Sequence, residues 1–483
     1  MTATGVRPAG LDDRVQATAA DESPDGLRRG SLSFARTIAL SVGIQGPTAG
    51  VIVGPAVIAS VVGGPGALAQ VLGLVAMAFV AYAFWRFTRS FNTAGSVLAF
   101  NGTALGAGYG FVSAWLLLLV YTSFAGAVFA STASIAQSFA ASLGLHAWWL
   151  WFALVGAVVA IALAYLSIGL SQLVILAVEG LAIVLVLIVG VTVVVQGGYH
   201  GHGLSAAPFR PSGVGVSVLA LGVVNAFSQF SGFEGAATLG EESRRSTRTV
   251  PAAIAISLVL SAAVYIFLTW VAYGSFASPA TLAADSAPLV TVAVHALGSG
   301  VGKVVNVAGI VSAFGAQLAC ITAGSRLVYA LGREAGRPGN LLTRTSARTG
   351  APVGAVGVVS GAALASLLAF SFEATAIRAL TLIVTYGAYL LLVAYGMTVL
   401  AALVWTLRTV RRPVPVAVLT LGLAVMGYVL YRTFVPFPEA PFGAIVVAAG
   451  GSVLLGVALL AVPGLRRRLR GSPLLAVVAA GRD

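Results

Sequence analysis

From Leu173 to Val195 the chain reads LVILAVEGLAIVLVLIVGVTVVV, a run with a single charged residue. About 20 such residues in a helix cross the roughly 30 Å hydrocarbon core of a bilayer. Runs of this length recur along the whole chain, and that recurrence narrows the possible folds more than any other feature. In lipid every backbone N–H and C=O must be satisfied within the protein, which leaves α-helices or a closed β-barrel. Barrel strands alternate apolar and polar residues, whereas these runs are apolar throughout. The fold class is therefore an all-α polytopic membrane protein. Composition agrees: 8% of the 483 residues are charged and 59% are hydrophobic, against about 25% charged in a soluble domain.

Twelve spans are expected, at 34–62, 66–85, 108–137, 147–167, 173–196, 216–240, 251–275, 303–331, 353–371, 376–407, 414–432 and 441–463. The net charge of +13 could suggest a nucleic-acid partner, but the basic residues lie in short clusters between apolar runs. With both termini cytoplasmic, all of them except Arg210, Lys303, Arg378 and Arg432 fall on the inner side, as the positive-inside rule requires. An odd span count would scramble that alternation. Residues 1–30 read as a disordered, solvated cytoplasmic tail rather than a cleavable signal, because they lack an apolar core. Residues 464–483 read as a basic cytoplasmic tail. The one cysteine, Cys320, excludes an intrachain disulfide. His200 and His202 read as a solvated outer loop rather than a metal site, and the GAGYG at 106–110 follows no strand, so it is no dinucleotide fingerprint.

Two spans depart from uniform apolarity. The first reads ALSVGIQGPTAGVIVGPAVI, and the sixth VVNAFSQFSGFEGAATLG. Pro47 lacks an amide donor, and the neighbouring glycines lower the cost of unwinding. A helix broken within the membrane leaves free amides on one half, which suit a carboxylate, and free carbonyls on the other, which suit an ammonium or a coupling ion. For any single glycine, close helix packing is the simpler explanation. Two Gly/Pro clusters at matching places, five spans apart, point instead to a transport site between two halves. No P-loop is present, nor any catalytic cluster at membrane depth, so a primary pump and a membrane enzyme are disfavoured.

Three stretches carry a resemblance. They are FSGFEGAATLGEESRRSTRTVPAAI from Phe230, SRLVYALGREAGRPGNLLTRTSARTGAPVGAV from Ser325, and FNTAGSVLAFNGTALGAGYGFVSAWLLLLVY from Phe91. Through them the chain resembles the amino acid–polyamine–organocation (APC) superfamily of permeases. The resemblance implies a leucine-transporter-like 5+5 inverted repeat with discontinuous helices 1 and 6, plus two peripheral helices. On this reading residues 31–463 form the transporter domain, with repeat one at 34–196, repeat two at 216–407 and the peripheral helices at 414–463. It implies alternating access around an amino-acid site, with the substrate carboxylate at Gln45, Gly46, Pro47, Thr48, Ala49 and Gly50. The ammonium would meet Phe230, Ser231, Gly232 and Phe233. GPTAG stands where the family has a Gly-small-Gly pattern. Glu179 occupies the place where some proton-coupled relatives have a lysine.

Two acids lie within spans, Glu179 and Glu234. A central acid costs about 2.5–3.5 kcal/mol on insertion scales, so each needs a partner or a proton. Both are candidates for proton coupling or gating. The expected pocket wall comes from spans three, six, eight and ten, with Tyr121, Asn225, Phe227, Ser312 and Tyr386 as its main residues. With no strong charge among them, a neutral amino acid is the expected substrate. The alternatives are a polyamine or organic-cation carrier, an uncoupled exchanger and, more distantly, a receptor. The expected partners are H+ or Na+ as coupling ion and membrane lipid. Neither a cofactor nor nucleic acid is expected, and the assembly is a monomer or homodimer.

Overall fold

A computed structural model describes residues 33–90, 96–165, 168–198, 203–211, 213–240, 243–335, 340–346, 351–409 and 412–470. The expected tail at 1–30, His200 and His202, and the end of the chain beyond 470 lie outside them.

The chain enters through α1 (Phe34–Gln45) and α2 (Pro47–Val62), one crossing in two pieces. It continues with α3 (Gly66–Thr88), α4 (Ser96–Leu105), α5 (Ala107–Ala141), α6 (Trp149–Tyr165) and α7 (Ile168–Val195). The sixth span is α8 (Val216–Gln229) and a single turn, α9 (Gly235–Thr238). There follow α10 (Ser246–Ser275), α11 (Pro279–Ala284), α12 (Pro288–Leu297), α13 (Ser299–Ala335) and α14 (Val353–Leu368). The described chain ends in α15 (Ala376–Thr409), α16 (Pro413–Phe434), α17 (Phe442–Leu459) and α18 (Pro463–Arg470). Among the described residues nine helical segments are long and apolar enough to cross a membrane. Three shorter apolar helices, α6, α8 and α14, fall on the expected spans four, six and nine. The protein is an all-α polytopic membrane protein.

Four helices were not visible as separate elements in the sequence. Ser96–Leu105 reads as the approach to span three, yet Gly106, at φ +99°, separates it from α5. This short helix is buried, stacking Phe100 on Phe87 at 5.2 Å and donating from Asn101 Nδ2 to Thr398 Oγ1 at 3.0 Å. α11 and α12 stand in what reads as an outer loop. Ser278 and Thr281 close a capping box at the start of α11, which satisfies two of its orphan amides. Residues 464–470, expected to belong to a tail, form α18 together with Pro463, with Leu469 buried against the bundle.

The long α5 packs along α13 and α15 and forms the centre of the bundle, while the two pieces of the first span contact α8, α9, α10 and α13. α6, α7 and α17 present large apolar side chains outward, among them Val158, Leu181 and Leu454. A belt of that size needs an apolar surround, and lipid supplies it.

Candidate functional site

The first break occupies one residue. Gly46 adopts a left-handed conformation (φ 48°, ψ 57°) that ends α1, and Pro47 takes the first position of α2, where its missing amide costs nothing. Thr48, Ala49 and Gly50 therefore belong to the first turn of α2. They are not unwound, as the resemblance implied. The second break is longer, a run of turns over residues 230–234 between α8 and α9.

The two breaks interlock. Ser41 Oγ donates to the Phe233 carbonyl at 2.9 Å, and Gln45 Nε2 to that of Phe230 at 3.1 Å. From α10, Ser261 Oγ donates to Gln45 Oε1 at 2.7 Å, and the Tyr265 hydroxyl to the Gln45 carbonyl at 2.6 Å. These bonds satisfy carbonyls that the breaks would otherwise strand in a low-dielectric interior. Gly232 shows why the sixth-span sequence is glycine-rich. Its φ is +109°, and a Cβ there would lie 2.6 Å from Ile44 Cγ2.

Both membrane acids are buried at the breaks. Glu234, 1% exposed, accepts from the Gly232 amide on Oε2 at 2.7 Å and from the Tyr121 hydroxyl on Oε1 at 3.1 Å. It thus folds back on the segment that contains it and is braced from α5. Glu179, from α7, accepts the Thr48 amide on Oε1 at 2.9 Å, and Ser312 Oγ accepts the Ala49 amide at 3.0 Å. A carboxylate on a helix N-terminus is a favourable arrangement.

Beside the first break lies a cavity of about 120 Å³. Gln45, Gly46, Ala49, Gly50, Val53 and Val57 line it from the first span, and Ser228, Gln229 and Ser231 from the sixth. Phe124, Ala127, Val128 and Ser131 close it from α5, Ala316 and Cys320 from α13, Leu380 and Val384 from α15, and Tyr265 from α10. Among the described residues that line it, none is charged.

Of the residues singled out in the sequence, Gln45, Gly46, Ala49, Gly50 and Ser231 line this cavity. Pro47, Thr48, Phe230, Gly232 and Phe233 belong to the breaks but not to its lining. Phe230 sets its ring edge against Tyr265, and Phe233 packs among Phe84 and Tyr395. The expected wall residues lie elsewhere. Tyr121 braces Glu234, Ser312 caps α2, and Phe227 packs on Tyr395. Asn225 Oδ1 accepts from Thr385 Oγ1 at 3.2 Å, and the Tyr386 hydroxyl meets Ser452 of α17 at 2.8 Å, facing the periphery. Sequence reasoning missed Phe124, Val128, Gln229, Cys320, Leu380 and Val384. Helical spacing carried a signal: Phe124, Ala127, Val128 and Ser131 fall on one stripe, one turn beyond Tyr121.

A bundle built around two broken helices that meet at a cavity is the architecture of a carrier. The profile of the amino acid permease family matches residues 32–460, and the chain belongs to that family. It is 29% identical over 390 residues to an uncharacterized transporter of Mycobacterium tuberculosis, covering 78% of this chain and 82% of the relative. It is 28% identical over 364 residues to the branched-chain amino acid permease BcaP of Lactococcus lactis subsp. cremoris, covering 69% and 76%. It is also 24% identical over 329 residues to the low-affinity putrescine importer PlaP of Escherichia coli, covering 66% and 69%. The chain is thus a transporter of the APC type rather than an enzyme, with a small molecule as its cargo.

Proposed function

We propose that the protein is a secondary permease for a neutral amino acid with an aliphatic side chain, driven by a proton gradient across the cytoplasmic membrane. The observation that carries this reading is the cavity wall: aliphatic and aromatic on the faces of α2, α5 and α15 apart from Ser131, and polar but uncharged at the two breaks. An aliphatic side chain would pack on Val53, Val128, Leu380 and Val384, while the ammonium and carboxylate would be met by backbone and by Gln45, Ser228 and Ser231. The relative named as a branched-chain amino acid permease supports the same substrate class. A diamine such as the putrescine of another relative's name would require acids in the wall, because burying an unpaired ammonium is costly. The two repeats, at 34–196 and 216–407, would move against each other around the site, with both termini cytoplasmic and the last two spans peripheral.

The test is uptake into proteoliposomes with and without an imposed inward proton gradient, using labelled leucine, valine, lysine, glutamate and putrescine. Gradient-driven accumulation of leucine and valine, with the charged solutes excluded, is the expected outcome. Accumulation of putrescine in place of leucine would overturn the neutral amino-acid assignment.

A further inference from the structure

The first turn of α2 presents amides that no intrahelical partner can take, and two of them are already filled from outside. Thr48 donates to Glu179 Oε1 at 2.9 Å and Ala49 to Ser312 Oγ at 3.0 Å. The Thr48 hydroxyl beside them is fully buried, a second donor at the same helix N-terminus. Glu179 is 3% exposed, and no basic side chain joins it among the described ion pairs. Its carboxylate rests on what a substrate's carboxylate would need, a helix N-terminal amide at the positive end of the helix dipole. The cavity adjoins them, since Gly46, Ala49 and Gly50 form part of its wall, and that wall offers a carboxylate no cation. Two anionic carboxylates at this spot would repel strongly in a low dielectric, a situation that pairs of acids resolve by binding a proton.

We propose that Glu179 is the internal occupant of the carboxylate position in the empty transporter, and that substrate binding displaces it as it takes up one proton. The inference rests on the reading of the cavity as an amino-acid site. In the loading step the hydrogen bond from the Thr48 amide to Glu179 breaks and one from that amide to the substrate carboxylate forms. A proton from solvent neutralises Glu179, so the loaded protein has gained one zwitterion and one proton. Release on the other face reverses both events and frees the proton there. Glu179 is a positioning residue in this scheme, acting through the Thr48 amide. The facing ionisable group on α10 is Tyr265, whose hydroxyl is committed to the Gln45 carbonyl. α2 carries no ionisable residue; on α13 Cys320 lines the cavity, and Arg36, His295, Lys303 and Arg326 lie towards the ends of their helices.

The experiment measures leucine binding to the purified full chain across pH, together with proton uptake in weakly buffered solution, for wild type, Glu179→Gln and Glu179→Asp. Wild type is expected to take up one proton per leucine, its affinity weakening by about tenfold for each unit rise in pH. In Glu179→Gln, which keeps an acceptor for Thr48 but cannot titrate, both effects vanish. In Glu179→Asp, which keeps a titrating carboxyl on a shorter stem, both persist with the pH midpoint displaced; an undisplaced midpoint would overturn the inference even if the glutamine variant does not fold. Leucine binding without proton uptake in wild type, or uptake that survives in Glu179→Gln, would overturn this inference while leaving the permease reading intact. Absence of leucine binding in wild type would overturn the permease reading and this inference with it.

Discussion

Tyr121→Phe removes the hydroxyl that braces Glu234 across the interface with α5. A hydrogen bond to a charged group contributes about 1.5–3 kcal/mol, so the variant should melt earlier in detergent and transport more slowly, with less change in KM than in kcat. Uptake kinetics beside a thermal melt would check this; wild-type values in both would mean that the brace is idle. Gly232→Ala is the harsher change. Its backbone conformation costs a side-chain-bearing residue about 1–3 kcal/mol, and the added carbon would lie 3.0 Å from the Gln45 amide. Loss of both folding yield and uptake is expected, measured by size-exclusion recovery and by transport. The glycine signal in the sequence was legible because few other residues tolerate such a position. The partners of Glu234 were not, because Tyr121 lies 113 positions away and no local pattern links them.

At the scale of helices, apolar length and Gly/Pro interruption disclosed the spans and both breaks. They did not disclose that Gly46 alone, with Pro47 behind it, suffices for the first break, since Thr48 to Gly50 look as unwound in sequence as Gly46 does. The cavity wall was the least legible part. Val128, Leu380 and Val384 are indistinguishable in sequence from side chains that face lipid, whereas polar candidates such as Asn225 and Tyr386 attract attention and prove to tie helices together. Polar side chains inside a membrane bundle are commonly interhelical ties. Gly46→Ala tests the break itself. The left-handed conformation costs an L-residue about 1–2 kcal/mol, and the new carbon would press on Ala316 Cβ at 3.0 Å. Substrate affinity should fall more than melting temperature does, because Gly46 also forms part of the cavity wall; equal affinity in a ligand titration would count against the site.

The molecule as a whole places an uncharged cavity where the two broken spans meet α5, α10, α13 and α15. If that cavity sets selectivity, Ala127→Leu should exclude large side chains first. One methylene in an apolar pocket is worth about 1–3 kcal/mol, so KM for leucine should rise at least tenfold while that for alanine changes little, as competition assays would show. The most direct measurement uses Cys320, the only cysteine among the 483 residues and part of the cavity wall. A small thiol reagent applied to proteoliposomes during turnover reports occupancy of the cavity without ambiguity about the labelled site. The account predicts that leucine slows labelling of Cys320 in proportion to its saturation of transport, while lysine and putrescine do not. Labelling at an unchanged rate under saturating leucine would place the substrate elsewhere and contradict the assignment.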